Sequence, residues 1–216
     1  MVESLISFAA VAAVVTVTPG LDTVLVLRTA AISGRGAALA AGAGIGVGCL
    51  CWATASALGL TGLLAASRLA FDALRWAGAA YLCWLGARAL WRTRTRTRAA
   101  GEASIVDGDP PAGGRPAAAF RIGFVNNLLN PKVGVFYVSM LPQFLPAGVN
   151  PLLASIAMAT VHNVEGMAWF VLLAFSVGRA AGLLTRPAVR RGLDRLTATV
   201  FIGFGVKLAV EGARGR

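Results

Sequence analysis

The residues most capable of chemistry lie inside segments that are otherwise apolar. The stretch at 126–132, NNLLNPK, places three amides, a proline and a cation between apolar runs, and Asp22 follows Thr18-Pro19-Gly20 inside the first run. Polar and charged groups within hydrocarbon are costly, so they indicate a functional site by default. We therefore predict that these two stretches line a cavity that receives a polar solute.

Each stretch contains a proline that should interrupt its helix, because proline lacks an N–H donor and disfavours helical geometry in the residue before it. The half-helix that begins after such a break has unpaired N–H groups that favour an anion such as a carboxylate. Lys132 adds a positive charge at the second break, and Asp22 adds a negative charge at the first. A zwitterionic amino acid would find complementary groups there. The candidate substrate-binding residues are Pro19, Gly20, Asp22, Asn126, Asn127, Asn130, Pro131 and Lys132.

A structural role for the two charges is the alternative. Asp22 would then be the N-terminal cap of its half-helix, and Lys132 its salt-bridge partner, so that the pair fixes two parts of the chain together. This role does not exclude contact with a solute.

His162 and Glu165 form a second candidate pair, for proton coupling. They are three positions apart in a later apolar run and so share one face of a helix. Because histidine titrates near neutral pH, the pair could carry protons for a gradient-driven exchanger. Alternatively, the two side chains form hydrogen bonds across a helix bundle or lie close to the membrane surface.

The elements that must position these residues are membrane helices. Of the 216 residues, 57% are hydrophobic and 13% are charged, whereas a soluble domain carries about 25% charged residues. Each apolar run is long enough to cross about 30 Å of hydrocarbon. The composition predicts an all-α membrane protein with six transmembrane segments, within 4–32, 37–66, 71–91, 120–145, 150–178 and 193–212. The acidic start, Met1-Val2-Glu3, argues against a cleaved signal peptide.

The net charge of +11 is a topological signal in this context. With both termini outside, fourteen arginines face the cytoplasm and four face outward, as the positive-inside rule requires. The sequence thus predicts a multi-pass protein of the bacterial inner membrane. Because the arginines fall between apolar spans, lipid headgroups are the expected contact and a nucleic-acid partner is not.

The chain divides into two similar halves. Residues 1–91 form the first three-span repeat, 92–118 a cytoplasmic linker, and 119–216 the second repeat, together one membrane domain. TPGL at 18–21 corresponds to NPKV at 130–133, so spans one and four should be broken at Pro19 and Pro131. Since each half has an odd number of spans, the second enters the membrane from the opposite side. Such inverted repeats are typical of secondary transporters.

Small residues indicate where helices approach one another. Gly42, Gly44, Gly46 and Gly48 form overlapping small-xxx-small patterns in the second span. We expect this face to pack inside the protomer, with a homodimer contact as the alternative. The three cysteines, Cys49, Cys51 and Cys83, are interpreted as packing residues, and neither a disulfide, a metal site nor a cofactor is expected.

Several longer motifs carry a family resemblance. They are TPGLDTVLV at 18–26, GAAYLCWLGARAL at 78–90, GFVNNLLNPKVGVFYVSMLPQF at 123–144 and FIGFGVKL at 201–208. With these motifs the chain resembles the lysine and homoserine/threonine exporter family (LysE/RhtB), bacterial inner-membrane proteins that export amino acids and related metabolites. One departure is Leu21, where the family usually has a second proline. One proline already breaks the helix, so the fold should be kept.

The resemblance and the residues together predict a secondary transporter that exports amino acids or related small metabolites by proton antiport. A divalent metal-ion exporter is one alternative, although one histidine and scattered cysteines equip the chain poorly for it. A membrane enzyme would need a nucleophile motif or clustered metal ligands, which the sequence lacks. A non-transporting membrane scaffold is the other alternative, but the intramembrane charges would then have no evident purpose.

Overall fold

The computed structural model describes residues 2–66, 115–176 and 187–214, with separate positions at 76, 79, 80, 83, 84, 87 and 90. All regular structure within these residues is helical, which confirms the all-α class. Most of the third predicted span, 71–91, lies outside the described residues. Residues 92–114 of the predicted linker, 92–118, also lie outside the described residues.

The helices follow the apolar runs of the sequence. α1 to α3 come from the first half, α4 to α7 from the second, and short π-helical and 3₁₀ segments follow α5. The bounds are α1 Val2–Val17, α2 Leu21–Ser33, α3 Arg35–Ala66, α4 Pro116–Leu128, α5 Pro131–Val135, the π-helix Phe136–Met140, the 3₁₀-helix Leu141–Phe144, α6 Pro151–Phe175 and α7 Pro187–Arg214.

Two of these helices are long and apolar enough to cross a membrane within the described part of the chain. They are Arg35–Gly59, within α3, and α6. α1 and α2 pass the same test together, as a pair bent by 55° at their break. The protein is therefore a multi-pass membrane protein, whereas the full set of six spans and their inverted repeat stay predictions.

Both predicted helix breaks are confirmed. α1 ends at Val17 and α2 begins at Leu21, with Pro19 between them. Leu129 and Asn130 separate α4 from α5. Pro131 is the first residue of α5, where its missing N–H would have had no helical partner. Beyond α5 the chain does not resume a regular α-helix but continues through the π-helix and the 3₁₀-helix.

α3 packs against α2, α4 and α6, and glycine permits the closest of these contacts. A Cβ atom on Gly44 would overlap the carbonyl oxygen of Phe120 in α4, and one on Gly123 of α4 would overlap the carbonyl oxygen of Ala41. The glycine series thus packs within the protomer, as predicted, and a homodimer stays a prediction.

An aromatic cluster joins α1 to the segment after the second break. The ring centroid of Phe8 lies 5.6 Å from that of Phe136 and 5.6 Å from that of Phe144. Phe8, Phe136 and Met140 are fully buried. Apolar packing therefore holds the irregular segment against the first half of the chain.

Candidate functional site

Lys132 connects the second helix break to the first. Its Nζ donates hydrogen bonds to the carbonyl oxygens of Val15, at 2.8 Å, and Thr18, at 2.9 Å. These carbonyls lie at the C-terminal end of α1, where the break removes their helical partners. A Cβ atom on Gly20 would lie 3.7 Å from Nζ, so the lysine side chain passes directly over this glycine. The ammonium thus satisfies carbonyls that the break leaves exposed, and it adds charge complementary to the helix end.

Asp22 makes the reciprocal connection, from the first break to the second half. Its Oδ1 accepts a hydrogen bond from Asn126 Nδ2 at 2.7 Å, and its Oδ2 accepts one from Asn127 Nδ2 at 3.1 Å. Asn127 is fully buried and occupies the space beside Gly48, where a Cβ atom would lie 2.5 Å from its Oδ1. Two amides at the end of α4 therefore fix the carboxylate at the start of α2.

The N-caps of the two helices that follow the breaks are Gly20 and Asn130. The interpretation of Asp22 as a helix cap is wrong, because Gly20 is the N-cap of α2 and Asp22 lies one residue inside the helix. A carboxylate in the first turn still interacts favourably with the helix dipole. At the second break, Asn130 is the N-cap, and its Oδ1 accepts a hydrogen bond from the backbone N–H of Lys132 at 3.1 Å.

A cavity of about 240 Å³ lies beside the two breaks. It separates the predicted residues into three groups. Gly20, Asp22, Asn130 and Lys132 line the cavity. Asn126 and Asn127 do not line it and instead hold Asp22 from behind, while Pro19 and Pro131 shape the breaks without contributing to the lining.

The structure separates His162 from Glu165. His162 is buried, lines the cavity, and its Nδ1 lies 2.9 Å from the hydroxyl of Tyr137. Glu165 is not part of the cavity lining, and its Oε2 is buried without a hydrogen-bond partner among the described residues. The two side chains therefore share a helix but occupy different surroundings, and a role for either in proton coupling stays a prediction.

Sequence reasoning did not single out several polar residues in or beside the site, among them Asn163 and Tyr137. Asn163 lines the cavity and donates from Nδ2 to the carbonyl oxygen of Gly46 at 3.0 Å. The sequence did contain a signal for Asn163, because this residue is an amide beside His162 in an apolar span. Tyr137 gave no such signal, because its hydroxyl partner belongs to another helix. Its own carbonyl oxygen accepts a hydrogen bond from Ser56 at 2.9 Å, which ties the π-helix to α3.

The cysteines occupy different environments, as their spacing suggested. Cys49 is buried and lines the cavity, whereas Cys51 is exposed, and both are free thiols. Asn127 Nδ2 lies 3.6 Å from Cys49 Sγ. In the part of the chain that the structure describes, no three His, Cys, Asp or Glu side chains come close enough together to hold a metal ion.

The fold and the site define a helical membrane protein in which two interrupted helices bring opposite charges to one cavity. Residues 13–212 match the family model of the LysE type translocators. The chain belongs to this family, and the resemblance inferred from its motifs is confirmed. Membership in a family of translocators supports a transport function in place of an enzymatic one.

Two of the relatives are named as amino-acid efflux proteins. The homoserine/homoserine lactone efflux protein of Salmonella typhimurium is 31% identical, over 70% of this chain and 69% of its own length. The leucine efflux protein of Klebsiella pneumoniae is 29% identical, over 70% of this chain and 68% of its own. An uncharacterized membrane protein of Bacillus subtilis is 26% identical over 97% of this chain and its full length. No solved structure matches the chain. The family and these relatives support an exporter.

Proposed function

We propose that the protein is a secondary transporter of the bacterial inner membrane that exports amino acids or closely related small metabolites. The observation that carries the proposal is the cavity between the helix breaks, which is lined by both a carboxylate, Asp22, and an ammonium, Lys132. Relatives named for the efflux of leucine and of homoserine and its lactone support the same substrate class.

The two charges suit the two ends of an α-amino acid. The substrate carboxylate binds beside the Lys132 ammonium, close to the N-terminus of α2, where unpaired N–H groups favour an anion. The substrate ammonium binds beside Asp22. A carboxylate offers about four lone-pair sites, so Asp22 can accept a further donor while it keeps its hydrogen bonds to Asn126 and Asn127.

The same contacts provide a means of alternating access. Lys132 joins the second half to the end of α1, and Asp22 joins the first half to the end of α4. Rocking of one repeat against the other would change both contacts at once, because each crosses from one half to the other. A substrate that competes for Asp22 and Lys132 therefore alters the contacts that hold the two halves in this arrangement.

Proton antiport is the proposed source of energy, with both termini outside so that the arginine-rich loops face the cytoplasm. His162 lies on the cavity, within reach of a bound substrate, and its Nδ1 already pairs with the Tyr137 hydroxyl. Glu165 lies nearly one turn further along α6. Together they offer protonatable groups on and beside the substrate path.

The experiment that tests the function is efflux from proteoliposomes preloaded with a mixed amino-acid pool, with and without an imposed pH gradient. We expect selective loss of one class of amino acid, accelerated when the outside is acidic, and no such loss from protein-free vesicles. Retention of every amino acid by vesicles that contain folded protein would contradict the exporter. Selective loss at the same rate with and without the pH gradient would contradict proton antiport but not export.

A further inference from the structure

We infer that the transported amino acid carries an uncharged, largely apolar side chain, received by an apolar wall that Gly42, Met167 and Phe170 form between α3 and α6. The inference rests on the proposed function and narrows its substrate class.

The first argument comes from the charges around the cavity. Among the described residues that line it, the fixed charges are Asp22 and Lys132. The α-carboxylate and α-ammonium of an amino acid match these one to one. A third charge, on the substrate side chain, would have no opposite charge in the described lining, and a charge that loses its hydration on binding without gaining a partner is strongly disfavoured.

The remaining titratable groups of the described lining do not supply that missing partner. His162 lines the cavity but carries no fixed charge, and its Nδ1 is already engaged at 2.9 Å from the Tyr137 hydroxyl. Cys49 is a buried thiol beside Asn127. Glu165, the nearby acid on α6, is not part of the lining and so offers no countercharge to a basic side chain there.

The second argument comes from the apolar wall. A Cβ atom on Gly42 would lie 3.0 Å from Phe170 Cδ2 and 3.6 Å from Met167 Cε, so these three residues meet across the contact between α3 and α6. Met167 and Phe170 lie one to two turns beyond His162 and Asn163 on the same helix. The cavity therefore has charged groups where the helices break, and apolar groups where α3 and α6 face each other at Gly42, beyond the Asn163–Gly46 hydrogen bond.

The size of the cavity suits a small solute. Its volume of about 240 Å³ lies below the roughly 300–1,000 Å³ of pockets that take drug-sized ligands. A single amino acid is therefore a suitable occupant. Met167 has a flexible, polarisable side chain that adapts to differently shaped apolar partners. Several aliphatic side chains of similar size should therefore be accepted.

The first test is a counterflow panel with the full-length protein in proteoliposomes, using radiolabelled leucine, methionine, lysine, arginine and glutamate. We expect leucine and methionine to exchange at least about tenfold faster than the three charged amino acids. Exchange of lysine, arginine or glutamate at or above the leucine rate would overturn the inference while leaving the exporter intact. Exchange of none of them, nor of any amino acid in a mixed pool, would overturn the exporter itself.

The second test places a charge on the apolar wall. In Met167→Glu the new carboxylate faces the substrate side chain, whereas Met167→Gln has nearly the same shape without the charge. We expect Met167→Glu to raise the ratio of lysine to leucine exchange by about tenfold over Met167→Gln, because the basic side chain gains a partner. Equal ratios in two variants that both still exchange leucine would show that this wall does not contact the side chain and would overturn the assignment. The wild-type panel keeps the inference falsifiable if either variant fails to fold.

Discussion

Lys132 belongs both to the cavity and to the architecture of the first helix break. Its ammonium donates to two carbonyl oxygens of α1 while it contributes the positive charge of the cavity lining. The structural and the substrate-binding interpretations of this residue are therefore compatible. Because Lys132 has both roles, a loss of transport after its substitution must be compared with a separate measurement of folding.

We predict that Lys132→Ala and Asp22→Ala each abolish export while the protein still inserts into the membrane. The first variant removes the hydrogen bonds that the ammonium donates to the carbonyls of Val15 and Thr18, and a buried acceptor left unsatisfied costs about 1–3 kcal/mol. Counterflow measures transport, and yield with size-exclusion profile measures insertion and folding. Glu3→Gln, which removes an exposed charge at the start of α1, is the control. Full export by both alanine variants would assign the residues a structural role only.

We predict that His162→Gln or Glu165→Gln removes the stimulation of export by an inward proton gradient while leaving substrate exchange at equal pH in place. Neither glutamine carries a proton across a cycle, whereas both keep a polar group of similar size. The measurement compares efflux with and without the gradient. Thr160→Ala, an exposed position on the same helix, should keep the stimulation. Undiminished stimulation in both glutamine variants would contradict the role of this pair.

Residue types alone predicted part of the site. Asp22, Asn130 and Lys132 were identifiable because charged and amide groups beside prolines are unusual in apolar spans, and all three line the cavity. The position of Asn126 and Asn127 behind Asp22 was not predictable. It depends on how closely α4 approaches Gly48 of α3, which is a property of packing between helices.

At the scale of the helices, proline predicted both breaks but not the conformation of the chain beyond the second one. Pro19 and Pro131 each lie where a helix stops or starts. The π-helix at 136–140 has no comparable signal in its residues. The π-helix instead makes contacts with distant parts of the chain. Ser56 of α3 donates to the carbonyl oxygen of Tyr137, and Phe8 of α1 packs on Phe136.

We predict that Gly44→Ala and Gly123→Ala destabilise the protein, because each new Cβ atom would overlap a backbone carbonyl oxygen of the facing helix. Overpacking of this kind typically costs about 1–3 kcal/mol. Melting temperature in detergent, followed by fluorescence size-exclusion, measures the effect. Gly59→Ala is a matched control in α3, since its Cβ would meet nothing within 4 Å. Melting temperatures equal to that of the control would contradict the close contact between α3 and α4.

At the scale of the whole molecule, the distribution of arginine predicts orientation independently of packing. The linker at 92–118 should lie in the cytoplasm, with both termini outside. We predict that Ser104→Cys, in a background where Cys49, Cys51 and Cys83 are replaced by alanine, reacts with a membrane-impermeant maleimide only after the cells are opened. A cysteine placed at Val2 should react in intact spheroplasts. The reverse pattern would contradict the orientation.

The inverted repeat is the part of the architecture that sequence predicts most indirectly. It rests on the similarity of TPGL at 18–21 to NPKV at 130–133 and on the count of spans in each half. The described helices include both breaks in corresponding positions, and contacts cross between the halves in both directions. The order of the remaining spans depends on the third predicted segment, which lies outside the described residues.

The hydrogen bonds between the two halves also have a consequence for synthesis, because their partners are made at different times. Asn126 follows Asp22 by 104 residues, and Lys132 follows Thr18 by 114. At about 5–20 residues per second on the ribosome, these partners emerge roughly 5–20 seconds later. During that interval α1 and α2 are already made, before the side chains that contact Asp22, Val15 and Thr18 in the folded protein exist. Because unsatisfied polar groups are costly in lipid, we expect the first break to stay at the insertion machinery or near the water interface until NNLLNPK has been translated.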